Sequence, residues 1–365
     1  MGSGVILQFN EMRWIKAAVI AAAIACALIP FSPSFIERWY STGVYPFIQR
    51  VLTPISNLVP MAFFDPLTIG AFVLTAVAVA RAIRDARRLK RWSRLLTTTI
   101  NLAATAAAVY LVFLALWGFN YRRVPMSSRL VVDRPAPNED AVAALGLQAV
   151  QQMNTLYEAA HAAEDTAPWR DERLRTAFET VQGYLTNAPR AVPGRLKQTI
   201  YGPYFRWTSV DGMVNPFALE VMANPDLLAI ERPFVAAHEW SHLAGYADES
   251  EANFVGWLTC LRADESAQYS GWMYLYWQLA NELTPPMRGQ LAAALEAGPR
   301  RDIDAIIERL RRGQLPVLRR TSWMVYDSYL KANRVEAGIR SYDLVVTLIL
   351  RARFEEGWRP VRRTP

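Results

Sequence analysis

His238-Glu239-Trp240-Ser241-His242 sets two imidazoles four residues apart, with a carboxylate directly after the first. On a helix, residues i and i+4 share a face, so both rings can reach one cation while Glu239 stands beside it. This is the HExxH spacing in which two histidines hold zinc and the glutamate works as a general base. The chain has only three histidines, so two of them in this spacing is informative. The third, His161, stands alone in an alanine-rich segment and reads as an ordinary surface or packing histidine.

Catalytic zinc takes three protein ligands and keeps one position for water, so a third ligand is needed from the residues that follow. Asp248, Glu249 and Glu251 compete for it. Asp248 suits a helix N-cap, and Glu251, three residues on, would complete a capping box. That leaves Glu249 as the preferred ligand, with Asn253 four residues later on the same face, where it can orient a liganding histidine from behind. Asp248 and Glu251 stay open as alternatives, and HExxHxxGxxD, read from His238 to Asp248, also resembles the metzincin pattern with aspartate in the last place.

These residues need elements to hold them. Pro233 suits a first helical turn and Gly245 a left-handed stop, which predicts a helix over 233–244. Small Ala252 and Gly256 would let the next helix pack closely on it. Apolar spacings of three and four predict helices over 139–163 and 171–187, and again from 233 to about 353 with breaks at Gly271, Pro285, Gly298 and Pro316. Residues 199–230 interleave aromatic and β-branched residues with Gly, Pro and Asn, and predict short strands or an irregular hairpin.

The first third of the chain has a different character. The whole is 52% hydrophobic with mean hydropathy +0.05, and the apolar residues concentrate in stretches at about 14–31, 62–80 and 95–119. Each is close to the roughly 20 residues that cross a bilayer, which predicts three transmembrane helices. The small residues ahead of Pro30 also fit a cleaved signal segment in place of the first span, and anchoring survives either way. Arg81, Arg84, Arg87, Arg88, Lys90, Arg91 and Arg94 face a single Asp85 between the second and third stretches, a local excess that carries nearly all of the formal net charge of +7. By the positive-inside rule that connection is cytoplasmic, so everything after the third span is extracytoplasmic. With this topology signal set aside the chain is nearly neutral, and no nucleic-acid partner is expected; the expected partners are the lipid bilayer and a peptide or protein substrate.

Trp39, Tyr40, Tyr45 and Phe47, with Pro46, Pro54 and Pro60, predict short interfacial helices between the first two spans. The layout is thus a membrane domain over 1–119, a linker over 120–138, rich in Arg, Pro and Ser, and an outer domain over 139–365. The fold class is mainly α with a small β element. Cys26 and Cys260 fall on opposite sides of this division and predict no disulfide.

The run His238 to Phe254 is similar to a domain-of-unknown-function family of bacterial membrane proteins described as membrane-bound zinc metallopeptidases. Trp117 to Arg122, Gly212 to Phe217, Tyr269-Ser270-Gly271 and Tyr326 to Asn333 resemble the same family, so the likeness spans nearly the whole chain. The layout also resembles the gluzincin peptidases, which implies a zincin-like outer domain, Glu249 as third ligand and Asn253 in support, with Asn replacing the more usual Asp and a short gap from His242 to Glu249. In that likeness Gly212 to Phe217 corresponds to the strand bordering the cleft, which implies substrate contacts at Gly212 and Asn215; a hairpin that merely packs on the zinc helix is the competing reading.

The expected activity is peptide-bond hydrolysis with zinc as cofactor: His238, His242 and Glu249 hold the metal, and Glu239 takes a proton from water and gives it to the leaving amine. Tyr269 and Tyr274 are candidates to stabilise the oxyanion. The alternative is a zinc-binding membrane sensor or envelope scaffold without turnover.

Overall fold

The computed structural model describes residues 3–90, 92–162, 167–335, 337–338 and 344–363. The molecule is mainly helical with a small sheet. Two helices, Phe64–Leu89 and Ser93–Leu116, are long and apolar enough to cross a membrane. They turn their apolar side chains outward, as Phe72 at 75% exposure illustrates, which suits a lipid surrounding and no aqueous one. The helix Ser3–Leu28 covers the first expected span, but it meets the same description only together with the segment Pro33–Asn57, from which it is bent by 110°. The basic cluster lies mostly on the last turns of Phe64–Leu89, which ends at Lys90, left-handed at φ 51°; Arg91 lies outside the described residues.

Pro46 and Pro54 do not break residues 33–57 into separate pieces. Pro33–Phe35, a wide-turn helix Ile36–Val44, and Tyr45–Asn57 run on from one another. Pro46 sits in the first turn of the last piece, where its missing N–H is not needed. The segment is amphipathic: Phe47, Val51, Ile55 and Leu58 are exposed, while Gln49, Thr53 and Ser56 are buried. Those polar groups are matched, since Gln49 bonds both backbone groups of Val192 and Thr53 donates to the Leu219 carbonyl.

The stretch expected as a linker is packed into the body. Asn120, Arg122, Arg123, Met126 and Leu130 are all buried. Arg123 pairs with Glu37 at 2.8 Å and also donates to the Gly245 carbonyl.

The sheet is small: β1 (Leu196–Lys197) runs parallel to β3 (Glu220–Ala223), and β2 (Gly212–Asn215) runs antiparallel to it on the other side. The order β1-β3-β2 leaves β2 an edge strand. The expected hairpin is therefore present over 212–223, but the aromatic residues just before it form a helix, Gly202–Thr208, led in by Pro203. Near the C-terminus β4 (Phe354–Glu355) pairs with β5 (Arg359–Pro360). Residues 359–361 are anchored to the body there, since the Val131 N–H donates to the Val361 carbonyl.

Lys197 and Glu220 form a fully buried ion pair at 2.8 Å between β1 and β3. The remaining acceptor capacity of Glu220 is used by the backbone N–H groups of Phe63 and Phe64 and by Asn215. A carboxylate at a helix start is where the backbone dipole favours negative charge, so this pair fixes the beginning of Phe64–Leu89 to the sheet. The core is continuous across this boundary: Trp240, Leu243, Phe254 and Trp257 belong to the same buried cluster as Tyr45, Phe113, Leu114 and Trp117.

Candidate metal centre

The helix Arg232–Leu243 begins with Pro233 in its first turn and ends at Gly245, whose φ is +84°. Its closing bonds run from the Gly245 N–H to the His242 carbonyl and from the Tyr246 N–H to the Ser241 carbonyl, the paired pattern of a Schellman stop. This turn has a chemical consequence. It carries the Tyr246 carbonyl under the His242 ring, 2.8 Å from Nδ1. Nδ1 therefore keeps the proton and donates it, and in the neutral ring the lone pair lies on Nε2.

Both Nε2 atoms face the same point. They lie 3.1 Å apart, and each is 3.4 Å from Oε2 of Glu249. Ligand atoms about 2.0–2.1 Å from a tetrahedral cation stand roughly 3.3 Å from one another, so the three donors already have the spacing of a metal-bound set. His238, His242 and Glu249 can hold a metal ion. Each side chain is at least largely buried. Glu249 Oε2 has no conventional hydrogen bond, which is what a donor reserved for a cation looks like.

Glu249 comes from the helix Glu249–Cys260, which starts at Asp248 as expected: its carboxylate accepts from the N–H groups of Ser250 and Glu251. The capping box is only half formed. Glu251 turns away to accept from the Met126 N–H and from Arg129, and so both alternative ligands are engaged elsewhere. Gly256 sets the approach of the two helices, because a Cβ there would lie 3.0 Å from the His238 nitrogen. Asn253 is buried on the same helix and lines the cavity beside His238 and Glu239, and neither its Nδ2 nor His238 Nδ1 has a hydrogen-bond partner.

The electrostatics follow from burial and proximity. Burial acts to lower the His242 pKa, but the charges of the Glu249 carboxylate and of Glu239 outweigh it and push the value up to about 9. Burial acts to raise Glu249, yet His242 and His238 hold it well below the usual carboxylate range. Glu239 goes the other way: desolvation raises it, and the two histidines only partly compensate. A carboxylate with a raised pKa is a better proton acceptor near neutral pH. Its Oε2 lacks a hydrogen-bond partner. Its other side is pressed against Gly212, where any Cβ would collide with the carboxylate.

Gly212 thus meets Glu239 at the start of the edge strand, on the rim of a cavity of about 390 Å³. Phe234, Met273, Tyr274 and Trp323 form its apolar wall beside His238 and Glu239. Asn215 is not on that rim. It is fully buried at the far end of the strand, donating to Glu220 and accepting from the Phe217 N–H. Of the two tyrosines considered for an oxyanion, Tyr274 lines the cavity, stacked on Phe234 at 3.7 Å. Tyr269 is turned away, donating to Asp302 beside His161.

Three contributors were not read from the motif. Tyr326 donates to Oε1 of Glu249 from the helix Pro316–Ala332. Trp117 donates to the His242 carbonyl at 3.0 Å and Tyr45 to the Leu243 carbonyl at 2.8 Å. The last carbonyls of a helix have no intrahelical partner, so the membrane-proximal segments complete the histidine helix. The only signal for these residues is indirect: Trp117 and Tyr326 stand in the segments that resemble the same family as the motif.

No curated protein and no solved structure matches the chain. A family profile described as a protein of unknown function, DUF3810, matches residues 40–350, a span that takes in the membrane-proximal segments, the histidine helix and Tyr326, and the chain belongs to that family.

Proposed function

We propose that the protein is a membrane-anchored, zinc-dependent metallopeptidase. The observation that carries this reading is the triangle of His238 Nε2, His242 Nε2 and Glu249 Oε2, with edges of 3.1, 3.4 and 3.4 Å. Two imidazoles and one carboxylate are a donor set suited to zinc, and they leave the fourth tetrahedral position open. Zinc bound there would supply Lewis acidity, lowering the pKa of water and polarising a carbonyl.

The chain's own residues account for the rest. The Tyr246 carbonyl fixes the His242 tautomer, and Tyr326 orients Glu249. Glu239, buried and raised in pKa, accepts a proton from the attacking water on Oε2 and returns it to the leaving amine. The open edge of β2, beginning at Gly212, offers backbone groups to an extended peptide, and the apolar wall excludes water from the reacting carbonyl.

In this reading the bent segment with Ser3–Leu28 adds a third crossing, and the cluster of arginines after Ala80 marks the cytoplasmic side. The site then lies outside the cytoplasm. The test uses the full chain in detergent. Elemental analysis should find about one zinc per chain, lost in Glu249→Ala, and Glu239→Gln should keep the zinc while cutting peptide hydrolysis by ~10²–10⁴-fold. Zinc retained in full by Glu249→Ala would remove that ligand. A zinc-loaded protein whose cellular role is unchanged by Glu239→Gln would be a scaffold or sensor.

A further inference from the structure

The helix Pro316–Ala332 divides into two faces. Trp323, Tyr326 and Leu330 point inward, the first onto the cavity and the second onto Glu249. Val317 (78% exposed), Met324 (57%) and Val325 (65%), joined by Leu318, make an apolar outward face. Such a face on a helix with a polar flank is the pattern of an element lying in a membrane interface.

Where the helix is tied bears on what covers this face. At its start the Leu315 N–H donates to the Trp207 carbonyl, and two turns along Ser322 meets the Tyr204 hydroxyl, both partners lying on Gly202–Thr208. That short helix follows Thr199 and Ile200, which donate to Asp65 in the first turn of the apolar helix Phe64–Leu89. At its end, Tyr329 packs against Phe113 near the close of Ser93–Leu116, and Arg334 donates to the Ala27 and Ile29 carbonyls at the close of Ser3–Leu28. A 17-residue helix is about 25 Å long, so it runs across the ends of the apolar helices instead of rising away from them.

We infer that the Val317, Leu318, Met324 and Val325 face is seated in the lipid leaflet at the outer ends of the spans, so that the helix roofing the metal cluster is held by the bilayer itself. The argument is continuity: the face lies between the ends of helices whose apolar surface is lipid-facing, and Tyr204, Trp207 and Ile200 extend it with the aromatic residues that favour the headgroup level. Exposed Arg320 flanks it, within reach of anionic headgroups. The inference does not depend on which metal is bound.

The test is footprinting of the full wild-type chain in vesicles of phosphatidylethanolamine and phosphatidylglycerol that carry a photoreactive diazirine on an acyl chain. Mass spectrometry should find label on residues 317–325 as well as on the two apolar helices, and loss of that label from residues 317–325 in a Met324→Asp/Val325→Asp variant that keeps it on the helices. Label confined to Phe64–Leu89 and Ser93–Leu116 in the wild type would overturn the proposal. So would protection of 317–325 accompanied by chain-to-chain crosslinks, which would mean that a second copy covers the face.

Discussion

Glu249 is the residue on which the site turns, because a carboxylate that binds a cation with one oxygen must be held by the other. Tyr326 supplies that hold at Oε1. Partners behind a metal ligand typically contribute 10–100-fold in affinity, so Tyr326→Phe should weaken zinc binding by about that factor, read by competition with a chromophoric chelator, while leaving the fold intact; unchanged affinity would show that the hydroxyl does not orient the ligand. Protonation gives a second reading of the same cluster. A raised His242 stabilises the folded, metal-free protein fully below its ordinary pKa of 6.5, and that contribution is lost as pH rises through about 9. The lowered Glu249 acts in the opposite range, contributing above its ordinary value and losing its effect only in acid. Metal-free protein therefore loses stability between pH 6.5 and about 9. Zinc requires neutral imidazole, so its stabilising effect grows over the same interval. Thermal unfolding of chelator-treated and zinc-loaded protein should show a gap in Tm that widens with pH, and a constant gap would mean that His242 is not the titrating ligand.

The histidine helix and its neighbour succeed as a pair because their separation is set by Gly256. With a Cβ 3.0 Å from the His238 nitrogen and 3.1 Å from its Cα, Gly256→Ala must push the helices apart by a few tenths of an ångström. Overpacking of this kind costs about 1–3 kcal/mol, and here it also moves Glu249 relative to both rings. Chemical denaturation and zinc titration of the variant should both register the change; lost stability with undiminished zinc affinity would show that the cluster tolerates the shift. Much of this pair was legible in the sequence. Pro233, Gly245 and Asp248 act through local backbone preferences, so the start and stop of the first helix and the cap of the second could be read from composition alone. Glu251 could not, because its partner Met126 lies far away in the chain and competes with the local capping bond. The same reason explains Asn215, whose place opposite Glu220 in the β2–β3 register fixes its side chain inside. Residues 202–208 defeated the strand expectation because Gly202 and Pro203 open a helix that buries Phe205 and leaves Tyr204 and Trp207 on its outer side.

At the scale of the whole molecule, the change in composition near residue 119 invited a division into an anchor, a linker and a separable outer domain, and the packing does not respect it. Hydropathy reports which residues avoid water. It does not report that Tyr45 and Trp117 end the histidine helix, or that Glu220 takes the N–H groups of Phe63 and Phe64. These contacts join the apolar helices to the candidate metal site through one core that includes Tyr45, Phe113, Leu114 and Trp117. Burying a large apolar side chain contributes roughly 1.5–3 kcal/mol, so removing these together is comparable to a domain's entire margin of about 5–15 kcal/mol. A fragment beginning at Asn120 would also leave Lys197 and Glu220 without Ser56 and the helix start that complete their bonding. Such a fragment should aggregate or lose its fixed aromatic packing, seen as a collapsed near-ultraviolet circular dichroism signal, and should fail to retain zinc that the full chain binds in detergent. A folded fragment with one zinc per chain would show instead that the outer body carries its own stability. The membrane helices would then serve only to place the site, not to complete it.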